Sequence, residues 1–247
     1  MRWIKGLIPT VIILLGALLL GCICYISIWG VPSFVVQRVE KALLEKGIPS
    51  HIETLKVTLW PRAVVTLKNV ELLDPEAMPE IRRPIVLLHE ADVALNWKKL
   101  IEGQVVPERV NVKGMNVTLP VDAGNPEKVF SVTGVNAELN LGRPGMVDIV
   151  KVDAVVQGIR VTAQGAFPIG QDDSGDFTLT AQDMAAVREQ LNQVLNYMDR
   201  VKWPDASPPR LIVNLSDDPK GGVRIGMDLQ APFLRYGKIM VRDFLFN

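Results

Sequence analysis

From Ser50 onward, apolar side chains recur at every second position in short runs. That period is the signature of β-strands with one apolar and one polar face. Leu55, Val57 and Leu59 alternate with Thr54, Lys56 and Thr58. The pattern returns in Ala63, Val65 and Leu67; in Val110 and Val112; in Val135, Ala137, Leu139 and Leu141; in Val150, Val152, Ala154 and Val156; and in Ile225, Met227 and Leu229. Turn-forming clusters separate the runs, among them Arg143-Pro144-Gly145, Asp172-Asp173-Ser174-Gly175 and Lys220-Gly221-Gly222. A mainly β, mostly antiparallel fold of about ten strands is expected.

Four times the apolar phase slips by one residue at a Gly or Asn. Val65 and Leu67 give way to Val70 and Leu72 across Lys68-Asn69; Val110 and Val112 to Met115, Val117 and Leu119 across Lys113-Gly114; Phe130 and Val132 to Val135 and Ala137 across Thr133-Gly134; and Ala154 and Val156 to Ile159 and Val161 across Gln157-Gly158. A slip of one residue sends later apolar side chains to the wrong face unless something compensates. An inserted bulge residue does so, and Gly and Asn tolerate the left-handed backbone that a common bulge needs. A tight hairpin turn at each site is the alternative. Either way the sheet has one apolar face, and bulges would curve it.

Few helices are available to cover that face. Val31 to Gly47 carries Val35, Val39, Ala42 and Leu43 at helical spacing, opening with Pro32 and Ser33 and closing at Gly47. Asp183 to Val201 is a second amphipathic helix, with Asp183 as its cap and Val187, Leu191, Val194, Leu195, Met198 and Val201 on one side. A short turn at Trp97-Lys98-Lys99-Leu100-Ile101, stopped by Gly103, is a third. Two or three helices cannot cover ten strands. The sheet must therefore curl, form two layers or leave its apolar face open to a ligand, and a large open apolar face marks a binding surface. The residues expected to line it are Leu55, Val57, Leu59, Val65, Leu67, Val110, Val112, Met115, Val117, Leu119, Val135, Ala137 and Leu139.

No charged residue occurs between Gly6 and Gln37, and the run from Leu7 to Trp29 is long enough to cross a bilayer as a helix at about 1.5 Å per residue. Arg2 and Lys5 precede it, which places the N-terminus in the cytoplasm and the rest on the far side of the membrane. Leu19-Leu20-Gly21-Cys22 resembles a lipobox, but the apolar run continues past it through Ile28, so Cys22 and Cys24 read as small apolar residues of a spanning helix. Three segments result: residues 1–30 as cytoplasmic N-terminus and transmembrane helix, 31–48 as a membrane-proximal amphipathic helix, and 49–247 as the exported β domain with its helix near 183–201.

Chemistry is sparse. Lys and Arg number 27 against 27 Asp and Glu, so the composition carries no basic footprint for nucleic acid. Two cysteines, both inside the apolar run, exclude a disulfide scaffold. His51 and His89 stand in no metal-ligand motif and read as surface or satisfied core histidines, and Asp172 to Asp176 lacks the Gly and Glu of a calcium loop and reads as a solvated turn. No nucleophile elbow, phosphate loop or zinc-protease motif occurs. No enzyme, no cofactor and no metal is expected.

The stretch from Val31 to about Asp122 resembles the N-terminal region of the AsmA-like proteins of Gram-negative envelopes, relatives of the TamB and chorein-type bridge-like lipid transfer proteins. The resemblance rests on the N-terminal anchor, the helix ending at Gly47, the strand pair around Leu67-Lys68-Asn69-Val70, Asn96-Trp97-Lys98-Lys99-Leu100-Ile101-Glu102-Gly103, and Pro107-Glu108-Arg109-Val110-Asn111-Val112. It implies an inner-membrane-anchored, periplasmic protein of outer-membrane biogenesis and lipid transport. The fold it implies is a taco-like β-groove lined by apolar side chains that holds phospholipid or another acyl-chain lipid. The chain then reads as the first segment of a longer groove, a short family member, or a subunit that docks an envelope protein partner. A structural adaptor with a closed β core is the alternative.

Overall fold

A computed structural model describes residues 31–74, 84–122, 125, 127–168, 181–204, 206–217 and 223–246. The expected transmembrane helix, Cys22 and the Asp172–Asp176 turn lie outside these residues. Among the described residues no helix is long and apolar enough to cross a membrane.

Among the described residues the fold is mainly β: an open, curved sheet and three helices. The strands are β1 (Ser50–Thr58), β2 (Val64–Leu73), β3 (Pro84–Leu95), β4 (Pro107–Pro120), β5 (Val129–Asn140), β6 (Met146–Val156), β7 (Ile159–Pro168), β8 (Val201–Lys202), β9 (Arg210–Asp217), β10 (Val223–Tyr236) and β11 (Ile239–Phe246). They form a single sheet in the order β1-β2-β3-β4-β5-β6-β7-β9-β10-β11, with β8 pairing β10. Every pairing is antiparallel except that of β7 with β9, which is parallel. Parallel neighbours need a long crossover. Here it is residues 169–209, which contain the third helix and β8.

Helix α1 (Ser33–Glu45) follows the expected signals, and the chain leaves it through Gly47 at φ 78°. Its inner stripe is Val36, Val39 and Leu43, packed with Val31 on Ile52, Leu55 and Val70. Ala42, expected on that stripe, is exposed. Helix α2 (Trp97–Ile101) is capped by Asn96, whose side-chain oxygen accepts from the Lys99 N–H at 2.9 Å.

Helix α3 (Ala181–Met198) corrects the sequence reading at both ends. Asp183 lies inside the helix instead of capping it, and Val201 belongs to β8, where it pairs with Tyr236. The apolar side is also narrower than expected: Leu195 is buried, whereas Val187 and Val194 are exposed. The reason is the helix's rotation, which turns Arg188 inward. The Arg188 guanidinium donates to both carboxylate oxygens of Asp74 at 2.9 and 2.8 Å, and Asn196 Oδ1 accepts from Lys128 Nζ at 2.7 Å. These contacts hold α3 along the ends of β2 and β5.

The phase slips have two structural solutions. At Gln157-Gly158 both residues have positive φ, 50° and 82°, and Val156 pairs with Ile159, so this site is a two-residue hairpin turn and not a bulge. At Gly114 and Gly134, with φ 65° and 63°, the register between β4 and β5 shifts as a bulge requires. Asn69, at φ 49°, behaves differently, because the register of β2 with both neighbours is unbroken around it. The neighbours slip with it: Ile52 and Leu55 of β1 are both buried across one slip, and Leu88 and Ala91 of β3 face Val70 and Leu67 across another.

Candidate functional site

The register places the expected lining residues in rows that cross the strands. One row runs Leu55, Leu67, Ala91, Val112, Ala137, Val152, Ala163, Val213, Met227, each directly opposite the next, over nine strands. A second runs Val57, Val65, Val93, Val110, Leu139, Ile149, Gly165, Leu215, Ile225. On the other side of the slips lie Ile52, Val70, Leu88, Met115, Val135, and then Leu72, Val86, Val117, Val132, Val156, Ile159. The slips are what keep these four rows on one face. At about 4.8 Å per strand, the eight steps across nine strands carry the two longest rows over about 38 Å.

Twelve of the thirteen expected residues lie in the strands, with Leu119 opposite Phe130. Leu59 does not, since it lies one residue beyond β1. Leu55, Leu119 and Val135 are buried and the others are half-buried. A single layer explains this, because strand neighbours shield the flanks of each side chain while its tip stays open.

Sequence reasoning stopped the lining near residue 139, although the rows continue through Val152, Ala163, Val213 and Met227. In β6 it also chose the wrong phase at one position. Val150 has no cross-strand partner and is 45% exposed, while Ile149 takes the place opposite Leu139. A bulge there is hidden because Ile149 and Val150 are both apolar and either can take the inward phase. A further slip, missed in the sequence, joins Ile239 and Val241 to Phe244 and Phe246 across Arg242-Asp243, with Asp243 at φ 51°.

The opposite face is polar and internally paired. Glu90 lies between Lys68 and Lys113, 2.9 and 2.6 Å from their Nζ atoms, and the two ammonium groups hold its carboxyl at about 2, well below the usual carboxylate range. Asparagine side chains serve the slips: Asn136 Oδ1 accepts from the Gly114 N–H at 3.2 Å, Asn116 Oδ1 from the Gly134 N–H at 2.8 Å, and Asn69 Nδ2 donates to Glu53 at 2.5 Å. His51 Nδ1 lies 3.2 Å from Glu40 Oε1, and His89 is exposed. Among the described residues no cluster of His, Cys, Asp or Glu could hold a metal ion. A cleft of about 760 Å³ at one end of the strands is lined by Pro61, Arg62, Trp97, Lys98, Glu108, Arg109 and Asn140. Its lining also includes Ala94, each of Ala94, Arg109 and Asn140 standing one residue beyond Val93, Val110 and Leu139 of the second row.

No family model, curated protein or solved structure matches the chain. The likeness to AsmA-like proteins therefore rests on the residues quoted for it.

Proposed function

We propose that the protein is a membrane-anchored periplasmic module that binds or transfers lipid in envelope biogenesis, holding acyl chains on the apolar face of its sheet. It performs no catalysis on this reading. The observation that carries it is the continuity of the apolar rows across an open sheet whose face is only partly covered. Half-exposed apolar surface gains about 25 cal/mol per Å² when an apolar ligand covers it. An acyl chain, about half of a 30 Å hydrocarbon core in length, fits along a row of about 38 Å without crossing a polar position. The anchor reading puts residues 1–30 in the inner membrane with the N-terminus cytoplasmic. Helix α1 then joins them to β1, so the rows begin at the anchored edge and run toward β11. That β1 and β11 are unpaired with each other speaks against an adaptor whose core is a closed sheet.

The test is the full chain in detergent, assayed in parallel for melting temperature and for crosslinking to a photoactivatable phospholipid. Crosslinking to the unmodified protein, with Val117→Glu folded but crosslinked severalfold less, is the expected result. A carboxylate at an open face stays hydrated, whereas in a closed core it is buried unpaired and unfolds the domain. No crosslinking in the unmodified protein, together with unfolding of Val117→Glu, would overturn the reading.

A further inference from the structure

The two edges of the sheet differ. At β1 the edge is occupied: the Val31 N–H donates to the Leu55 carbonyl at 2.8 Å, the Ile52 N–H donates to Glu40 Oε1 at 2.7 Å, and α1 packs alongside. Natural sheets blunt their edges in such ways to prevent pairing with other chains. At β11 nothing among the described residues covers the edge. The strand exposes Ile239 at 63%, Met240 at 63%, Leu245 at 70% and Phe246 at 57%. An open, apolar edge strand is a template for another strand.

The sequence of β11 says which strand fits. It reads Ile-Met-Val-Arg-Asp-Phe-Leu-Phe from 239 to 246. Its slip between Arg242 and Asp243 puts Ile239, Val241, Phe244 and Phe246 on the apolar face, opposite Tyr236, Leu234, Ala231 and Leu229. The pattern is therefore palindromic about the Arg242-Asp243 peptide. We propose that β11 pairs antiparallel with β11 of a second copy about a twofold axis at that peptide, joining two sheets edge to edge.

In this register Ile239 faces Phe246 of the second copy and Val241 faces Phe244, apolar face to apolar face. Met240 faces Leu245 on the other side. Arg242 faces Asp243 of the second copy, and Asp243 faces its Arg242, which gives two ion pairs across the axis. Neither residue has an ion-pair partner within its own chain among the described residues. Slip lies opposite slip, which is the rule β2 and β3 already follow around Asn69. In a regular strand a twofold axis at a peptide would oppose apolar to polar side chains, so the slip is what makes β11 self-complementary. The contact is isologous, and the axis stands perpendicular to the sheet, so both apolar faces stay on the same side. This pairing stands whatever the face carries, and does not rest on the lipid reading.

The experiment is sedimentation velocity of the full chain in detergent, with disulfide trapping in a Cys22→Ser, Cys24→Ser background. The expected result is a dimer at micromolar concentration. Met240→Cys co-expressed with Leu245→Cys forms a disulfide-linked dimer at least tenfold more than either variant alone, because like positions lie about 17 Å apart along the strands. Arg242→Glu, folded by circular dichroism, weakens dimerisation about tenfold, and co-expression with Asp243→Lys restores a mixed dimer. A monomer at all concentrations, equal trapping by the single variants, or a dimer indifferent to Arg242→Glu would each overturn the proposal.

Discussion

Gly165 stands where β7 passes its parallel neighbour β9, at φ 130°, and a Cβ built there would run into the backbone of Leu215. Gly165→Ala is thus expected to destabilise the domain by more than the roughly 1–3 kcal/mol that a positive φ costs a non-glycine residue by itself. Gly134→Val tests the smaller effect, since φ is 63° and nothing lies within 4 Å. Gly114→Val falls between them, because the new Cβ would sit 3.2 Å from that of His89. Urea midpoints should fall in the order Gly134, Gly114, Gly165; unchanged midpoints at the first two would show that neither position needs its glycine. Glu90 provides a pH test on the polar face. Its carboxyl titrates lower when folded than when unfolded, so its contribution to stability is present above about 4.5 and is lost as pH falls toward about 2. Glu90→Gln should lower the urea midpoint at neutral pH, with the difference shrinking through that window; a difference that persists at pH 2 would contradict the pairing with Lys68 and Lys113.

At the scale of elements, the two long helices were legible in outline and misread in orientation. Periodicity located α3, but it assigned Val187 and Val194 to the inner side because they are apolar. The structure turns Arg188 inward instead, where Asp74, 114 residues away in sequence, receives it. No local pattern could announce that partner. Arg188→Ala is expected to loosen the helix without unfolding the sheet. Hydrogen exchange in residues 188–198 should rise at least tenfold while β3 and β4 stay protected, and unchanged exchange would show that Leu195 alone seats the helix. The slips divide the same way. Their positions were readable, because they rest on Gly, Asn and the run of apolar residues, but bulge, matched slip and hairpin turn share one local signature. Only the neighbour's register tells Asn69 from Gly114 and both from Gln157-Gly158.

For the molecule as a whole, each strand among the described residues pairs only with its sheet neighbours, and α3 bridges β2 and β5 only at their ends, through Asp74 and Lys128. Stability in such an array is close to a sum over adjacent interfaces. Native-state hydrogen exchange should therefore be graded, slowest in β3 to β5 and fastest in β10 and β11, whose side chains are the most exposed; uniform protection would indicate a closed core. Removal of residues 1–30 should release the protein from membranes on carbonate extraction, and retention in the pellet would assign an anchoring role to α1 or another segment. What the sequence determined by itself is whatever depends on near neighbours along the chain: β-strands from the period of two, helix positions from the period of 3.6 and caps, and the division into an apolar and a polar face. The tertiary structure decided that the sheet stays open, that β7 lies parallel to β9, that the apolar positions line up into rows across nine strands, and that among the described residues one edge is covered while the other is bare. Those features depend on which strands meet and in which register. The hydrophobic pattern restricts register by requiring like faces to match, but it does not choose among partners that satisfy it equally well.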